Sequence, residues 1–153
     1  MSRTLVVVCG LPGSGKTTLA AEWVAQDPAG RVRVSRDCLR DMLHPGCYIS
    51  PDTEHAVMVA ALTATRALLA AGYDVISDDT NLRPERMADW RALAADAGAR
   101  FEVIDLTSVP VATCVERDAQ RPDRGYPPSR WDGARVGAGV IKGMAGRYLG
   151  AAT

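Results

Sequence analysis

The segment from Gly10 to Thr17, with the sequence GLPGSGKT, constrains the fold of this chain more than any other feature. It matches the phosphate-binding loop pattern G-x-x-x-x-G-K-[ST], in which glycines let successive backbone N–H groups point into one concavity. The loop follows an apolar run at residues 5–9 and precedes a helical stretch, which is the setting that the pattern requires. We therefore predict that it binds the phosphates of a nucleoside triphosphate, aided by the dipole of the helix that starts there.

The side chains of this loop have separate expected roles. Lys16 can reach the β- and γ-phosphates, and the Thr17 hydroxyl can coordinate Mg²⁺. The residues that we expect to contact the nucleotide in the loop and the first helical turn are Gly13, Ser14, Gly15, Lys16, Thr17 and Thr18.

The rest of the chain alternates apolar runs with helical patterns, which predicts a parallel sheet flanked by helices. We expect strands near residues 4–9, 31–35, 73–77 and 101–106. We expect helices near residues 16–26, 36–43, 52–71, 84–98, 110–121 and 129–149. The pattern thus predicts the α/β class with the P-loop NTPase kinase fold, a four-stranded parallel sheet flanked by helices, and a single domain over residues 1–153.

Composition narrows the functional classes. The formal net charge is +0, so bulk charge argues neither for nor against a polyanionic partner. The four cysteines show neither C-x-x-C pairs nor zinc-ligand spacing, which fits a reducing, cytoplasmic setting. The apolar run at residues 5–9 is too short for a signal sequence or a membrane span, so we expect no targeting segment and no membrane partner.

Three polar clusters follow predicted strands or helices, at residues 35–37, 77–81 and 117–124. In sheets of this kind, ligands bind beyond the carboxyl ends of the strands. A phosphoryl acceptor needs a carboxylate to take its proton, and Asp37 is the best candidate because it follows the strand expected beside the phosphate loop. Asp37 could instead cap the next helix. Arg40, one turn further on, would point the same way or lie on a solvated surface.

Four segments, taken in order, resemble the kinase domain of the bacteriophage polynucleotide kinase/phosphatase family: residues 10–17, 35–40 (SRDCLR), 79–86 (DTNLRPER) and 116–121 (ERDAQR), with Trp90 between the last two. That family phosphorylates 5′-hydroxyl ends of DNA and RNA. The phosphate loop is shared by many families, whereas the second and third segments are far more specific. The resemblance extends through Gly150, and a D-x-D-G-T phosphatase motif is absent from the sequence. We therefore expect a kinase module without the phosphatase.

The resemblance implies roles for particular residues in a polynucleotide 5′-hydroxyl kinase. Lys16 and Thr17 would bind the phosphates of ATP and Mg²⁺. Asp37 would be the general base for the 5′-hydroxyl group of the nucleic acid. Arg40 would hold the phosphate 3′ to the attacked nucleoside, and Asp79 would help to organise the site.

A lid arginine, in a segment near residues 117–128, would stabilise the transferring phosphoryl group. Arg121 fits the family's R-D-x-x-R spacing, whereas the family's R-G pair matches the pair that begins at Arg124. An apparent insertion at residues 122–123 leaves both assignments open. We favour Arg121 as the catalytic residue because it lies one helical turn after Arg117, which we expect to contact the nucleotide.

Other interpretations stay open. The chain could be a P-loop kinase of another hydroxyl group, on a small metabolite or antibiotic or on a hydroxymethylated pyrimidine in phage DNA, because fold does not fix substrate. It could also be a nucleotide-dependent switch without transfer, although the arginines of the lid segment favour transfer. The resemblance suggests a homo-oligomer through the C-terminal helix, which has an apolar stripe at residues 136–148. We expect Trp90 and Trp131 to be packing residues rather than base-stacking platforms.

Overall fold

The first strand lies inside the sheet because its residues are apolar on both faces. Leu5 and Val7 point to one face and Val6 and Val8 to the other, and all four are at most 2% exposed. A strand that is buried on both faces pairs in parallel with its neighbours and requires helices above and below it.

The computed structural model describes residues 2–150 and has four parallel strands in one sheet, which confirms the predicted fold class. The strands are β1 (Thr4–Cys9), β2 (Arg31–Val34), β3 (Asp74–Ser77) and β4 (Arg100–Asp105), in the spatial order β2–β3–β1–β4. The helices are α1 (Lys16–Ala25), α2 (Arg36–Leu43), α3 (Pro51–Ala70), α4 (Pro84–Asp96), α5 (Val111–Ala119) and α6 (Ala138–Met144), which continues as a π-helical segment over Ala145–Leu149. Among residues 2–150, none of the helices has the length and apolarity needed to cross a membrane.

Local sequence explains where the two longest helices begin. The Ser50 hydroxyl accepts the backbone N–H of Thr53 at 3.2 Å, and the Thr53 hydroxyl accepts the backbone N–H of Ser50 at 2.9 Å. This reciprocal pair satisfies backbone donors that the first turn of α3 leaves free, and Pro51 fits the first helical position. Pro84 occupies the same kind of position in α4.

Apolar clusters cover both faces of the sheet. The larger one packs α3 and α4 against the sheet: its central members are Leu5, Val7, Ala61, Val75, Trp90 and Leu93. On the other face, Ala20 of α1 packs with Val6 and Val8. A third cluster joins α5 and α6 to the phosphate loop through Cys114, Ile141 and Leu11. The loop is therefore supported from the sheet side and from the C-terminal helices.

The position of β2 differs from the sequence-based expectation. We expected the strand that precedes Asp37 to adjoin the phosphate loop, but β3 lies between β2 and β1. Val75 and Ile76 make β3 apolar on both faces, and both side chains are fully buried, whereas β2 alternates arginine and valine. A strand with arginine at alternate positions suits the edge of a sheet, so the apolar strand takes the inner place.

The prediction of one helix over 129–149 is also wrong, because α6 begins at Ala138. Gly133 and Gly137 have φ angles of 71° and 94°, which do not continue a right-handed helix. The turn before α6 is held instead by the buried carboxylate of Asp118, which accepts the backbone N–H of Val136 at 3.0 Å and of Gly137 at 2.9 Å.

Asn81 connects β1, β3 and α4 at the carboxyl end of the sheet. Its Nδ2 donates to the carbonyl oxygen of Val8 at 2.8 Å, and its Oδ1 accepts the indole N–H of Trp90 at 2.9 Å. Its φ angle of 46° lies in the left-handed region, which Asn tolerates better than most residues. The preceding residue, Thr80, accepts the N–H of Gly10 through its carbonyl oxygen at 3.0 Å, which ties this turn to the phosphate loop.

We expect Asn81→Ala to lower the free energy of unfolding by about 2–4 kcal/mol, because it leaves a buried carbonyl and a buried indole N–H without partners. Urea denaturation followed by circular dichroism measures the loss. Gln120→Ala, which removes an exposed amide, is the matched control. A loss below about 0.5 kcal/mol for Asn81→Ala would show that this connection does not hold the turn.

Candidate active site

The phosphate-binding loop leaves β1 near the centre of the sheet and leads directly into α1. Gly13 and Gly15 have φ angles of 83° and 98°, and the carbonyl oxygen of Cys114 lies so close to Gly13 that a side chain there has no room. Lys16 is buried, and its Nζ donates to the carbonyl oxygen of Leu11 at 2.7 Å. Burial lowers the pKa of Lys16 to about 8.

The residues of this loop fit a bound nucleoside triphosphate. Within residues 2–150, the buried hydroxyl of Ser14 has no hydrogen-bond partner, so this polar atom is available to a ligand. Arg117 of α5 also contacts the loop, because its Nη1 lies 3.5 Å from the carbonyl oxygen of Gly13. Gly15, Thr18 and Arg117 line one open groove beside the loop.

Thr17 contacts a carboxylate that follows β3. The Thr17 hydroxyl donates to Asp78 Oδ1 at 3.3 Å, and Asp78 Oδ2 accepts from Arg33 Nε at 2.7 Å. A hydroxyl beside a carboxylate is the oxygen donor set that Mg²⁺ prefers, so these residues fit the ion that accompanies a nucleotide. The family resemblance implies a role for Asp79 and none for Asp78, because only the sheet order shows that β3 brings Asp78 to Thr17.

Asp79 has a different place, at the N-terminus of α2. Its Oδ1 accepts the backbone N–H of Arg36 at 3.1 Å, and its Oδ2 lies 3.4 Å from Arg36 Nε. Ser35, the residue at the N-cap position, makes no side-chain cap bond, so Asp79 supplies the cap from the turn after β3. Burial raises the pKa of Asp79 to about 6 and outweighs the opposing charge of Arg36.

Asp37 lies in the first turn of α2 and contacts Arg40, one turn further along. Its side chain is 46% exposed, while that of Arg40 is 13% exposed. Partial burial raises the pKa of Asp37 above its usual range, although Arg40 opposes this. Asp37 therefore presents an accessible carboxylate with an enhanced affinity for a proton.

Glu54 lies against Arg40 and is a candidate site residue that sequence reasoning missed. Its two carboxylate oxygens accept from Arg40 Nε at 2.6 Å and from Arg40 Nη2 at 2.7 Å. Burial opposes ionisation, but the hydrogen bonds and charge of Arg40 keep the pKa of Glu54 below its usual range. The sequence shows only an acidic residue in the first turn of α3, where acidic residues are common because of the helix dipole.

The two candidate lid arginines have different surroundings. Arg121 lies 3.7 Å from Asp118, keeps a third of its side chain exposed, and is near enough to Lys16 to help lower the pKa of that lysine. Arg124 donates to the carbonyl oxygens of Asp132 at 2.6 Å and Arg130 at 3.3 Å. Arg124 is thus committed to holding the backbone of its own segment.

The structure brings Asp37, Asp79 and Arg121 within electrostatic range of Lys16 at the carboxyl end of the sheet, and we call the region between them the cleft. Arg40 joins the same group through Asp37.

The comparisons with known proteins support the fold. Residues 5–144 match a family model described as AAA domain (AAA_33). A structure of the Pnkp1/Rnl/Hen1 RNA repair complex superposes with a TM-score of 0.80 and 24% identity, over 97% of this chain and 44% of that chain. A structure of the Pnkp1/Rnl/Hen1 complex gives a TM-score of 0.67 and 28% identity, over 76% of this chain and 39% of that chain. These findings confirm a P-loop kinase-like fold.

Two further proteins match part of this chain. The Mycobacterium tuberculosis APS kinase CysC, in complex with AMPPNP and APS, gives a TM-score of 0.63 and 23% identity, over 78% of this chain and 70% of that chain. A proline–tRNA ligase of Variovorax paradoxus is 38% identical over 85 residues, which are 55% of this chain but 15% of that protein. The chain thus spans a small part of this ligase and less than half of the chains matched in the two Pnkp1/Rnl/Hen1 structures.

The raised pKa of Asp79 makes the stability of the protein depend on pH. An Asp in an unfolded chain titrates near pH 4, whereas burial raises the pKa of Asp79 to about 6. The folded state holds this proton more tightly, so the contribution of Asp79 to stability falls as the pH rises from about 4 to about 6.

In the Asp79→Asn variant the side chain at this position cannot ionise, so it causes no loss of stability as the pH rises. We expect its free energy of unfolding, relative to wild type, to rise by about 1–3 kcal/mol between pH 4 and pH 7, measured by urea denaturation. Asp96→Asn, which changes a carboxylate that is 66% exposed, is the control. A difference between Asp79→Asn and wild type that stays constant with pH would contradict the buried, titrating carboxyl.

Proposed function

The chain belongs to the AAA domain family AAA_33, and from this membership and the cleft described above we propose that it is a P-loop kinase that transfers the γ-phosphate of ATP to a 5′-hydroxyl end of DNA or RNA. The observation that carries this proposal is the accessible carboxylate of Asp37, which Arg40 holds within electrostatic range of Lys16. Such a kinase requires a proton acceptor for the hydroxyl group beside a phosphate-binding loop.

On the nucleotide side, the backbone N–H groups of the loop would bind the phosphates of ATP, and Lys16 would meet the charge that develops between the β- and γ-phosphates. Mg²⁺, which Thr17 and Asp78 would hold, supplies charge neutralisation at the phosphates when it is bound with the nucleotide. Arg117 adds a positive charge beside the loop at Gly13.

On the acceptor side, Asp37 would take the proton of the 5′-hydroxyl group. The oxygen of that hydroxyl group would attack the γ-phosphorus, and the bond between the γ-phosphorus and the β-phosphate oxygen would break. The raised pKa of Asp37 suits this role, because a general base works best when its pKa approaches the working pH. Arg40 keeps the carboxylate in place and would attract the phosphate on the 3′ side of the attacked nucleoside.

Transfer from γ-labelled ATP to a set of acceptors tests this proposal. If Arg40 binds an acceptor phosphate, a 3′-nucleotide and a 5′-hydroxyl oligonucleotide should be much better acceptors than the bare nucleoside, since a charge-assisted contact contributes about 1.5–3 kcal/mol. Asp37→Asn should lower turnover at least about 100-fold with little change in nucleotide affinity.

Asp52→Asn is the matched control, because Asp52 is an exposed carboxylate in the first turn of α3. Equal use of nucleoside and 3′-nucleotide by the wild type would argue for a small-molecule hydroxyl as the acceptor. Full turnover by Asp37→Asn would remove Asp37 from the chemistry.

The same assay distinguishes the two lid arginines. Arg121→Ala should lose about 1,000-fold or more in turnover, because an arginine that neutralises transition-state charge has an effect of this size. Arg124→Ala should keep at least about a tenth of the wild-type rate, because this guanidinium already binds backbone carbonyls. The reverse order would assign the lid function to Arg124 and place the insertion before it.

A further inference from the structure

Three aromatic side chains from two separate segments meet at the surface. Tyr48 lies between α2 and α3, whereas Tyr126 and Trp131 lie between α5 and α6. The ring centroids of Tyr48 and Tyr126 are 5.4 Å apart, and those of Tyr126 and Trp131 are 6.4 Å apart. We call these three residues the aromatic rim. Tyr48 is 60% exposed and Tyr126 is 72% exposed, so much of this aromatic surface faces water.

The rim is held in place by α2, the helix that carries Asp37 and Arg40. The Asp41 carboxylate accepts the backbone N–H of Trp131 at 2.6 Å and of Asp132 at 3.0 Å. Arg124 binds the carbonyl oxygens on either side of Trp131. These contacts fix a loop residue against a helix, so the position of the indole does not depend on apolar packing alone.

The rim is continuous with the proposed acceptor side of the cleft. One small cavity is lined by Arg40 and Glu54 together with Tyr48 and Trp131, and Tyr126 lies against both of these rings. Trp131 also precedes Asp132, whose charge acts on the Asp37 carboxyl. A nucleic acid strand with its terminal hydroxyl group at Asp37 and its first phosphate at Arg40 would therefore have its bases near the exposed rings.

We propose that the aromatic rim is a stacking surface for the unpaired bases at the 5′ end of the acceptor strand. This inference rests on the proposed function and deepens it, because it adds a binding surface for the bases of the acceptor strand beside Asp37 and Arg40. Exposed aromatic faces beside a phosphate-binding arginine suit single-stranded nucleic acid, whose every base offers a face for stacking. Trp131, which we expected to be a packing residue, belongs to this surface.

The test compares 5′-hydroxyl oligonucleotides that carry bases at the first three positions with matched oligonucleotides that are abasic there. Equilibrium binding, measured by fluorescence anisotropy without ATP, is followed by KM and kcat for transfer. Tyr126→Ala should weaken binding and raise KM at least about fivefold for the base-bearing strand, with kcat nearly unchanged. For Tyr126→Ala, the dissociation constant and KM should be the same for the abasic strand as for the base-bearing strand.

Two matched variants separate stacking from other effects of truncation. Tyr126→Phe keeps the ring and should restore wild-type values, whereas Val59→Ala shortens an apolar residue on α3 that is 50% exposed and should change nothing. DNA and RNA versions of each strand show whether the rim serves both, as base stacking alone predicts.

The experiment distinguishes failure of the stacking proposal from failure of the kinase proposal. Transfer by the wild type with equal KM for wild type and Tyr126→Ala would overturn the rim and leave the kinase proposal in place. Base-dependent binding that Tyr126→Ala abolishes, without transfer, would support the rim and overturn the kinase proposal. A wild-type dimer that Tyr126→Ala dissociates, with no change in oligonucleotide binding, would assign the rim to a second copy of the chain and overturn the stacking proposal.

Discussion

The cleft depends on the turn that follows β3. Asp78 binds the Thr17 hydroxyl, Asp79 caps α2 at Arg36, and Asn81 bonds to the strand that leads into the phosphate loop. Neighbouring residues of one turn thus tie α1, α2 and β1 to a common point. Since β3 lies between β1 and β2, this turn is the only described strand end that adjoins both the loop and α2. Displacement of this turn would move the phosphate loop and α2 together.

The charges of the cleft alternate, so that each arginine lies between carboxylates. Arg40 donates to Glu54 through two nitrogens and to Asp37 through a third, while Arg36 contacts Asp79. Removing one member of this partly buried network leaves its partners without a compensating charge, which destabilises the fold most where the partner is buried. A phosphate bound at Arg40, as proposed above, would compete with Glu54 for the same donors. Under that proposal, acceptor binding and the placement of Asp37 would be linked through one guanidinium.

Helix α2 carries Asp37 and Arg40, and it also contacts the loop between α5 and α6. Arg40 faces Asp37 and Glu54, and the next residue, Asp41, binds the backbone of the segment that carries Trp131. The loop between α5 and α6 is thereby docked beside the cleft, while Asp118 holds the end of that loop at Gly137. The segment near Arg121 therefore starts and ends at fixed points, and its aromatic residues lie on the α2 side.

The sequence by itself determined the class of fold and the phosphate loop. Both depend on local patterns, since strand residues 5–8 are apolar on both faces and the loop glycines permit positive φ angles. The tertiary structure alone decided that β3 adjoins β1, that Asp78 meets Thr17, and that Glu54 binds Arg40. These contacts join residues 14 to 70 positions apart, so no local pattern encodes them. The start of α6 was missed because Asp118 and two left-handed glycines override a helical spacing that the sequence shows clearly.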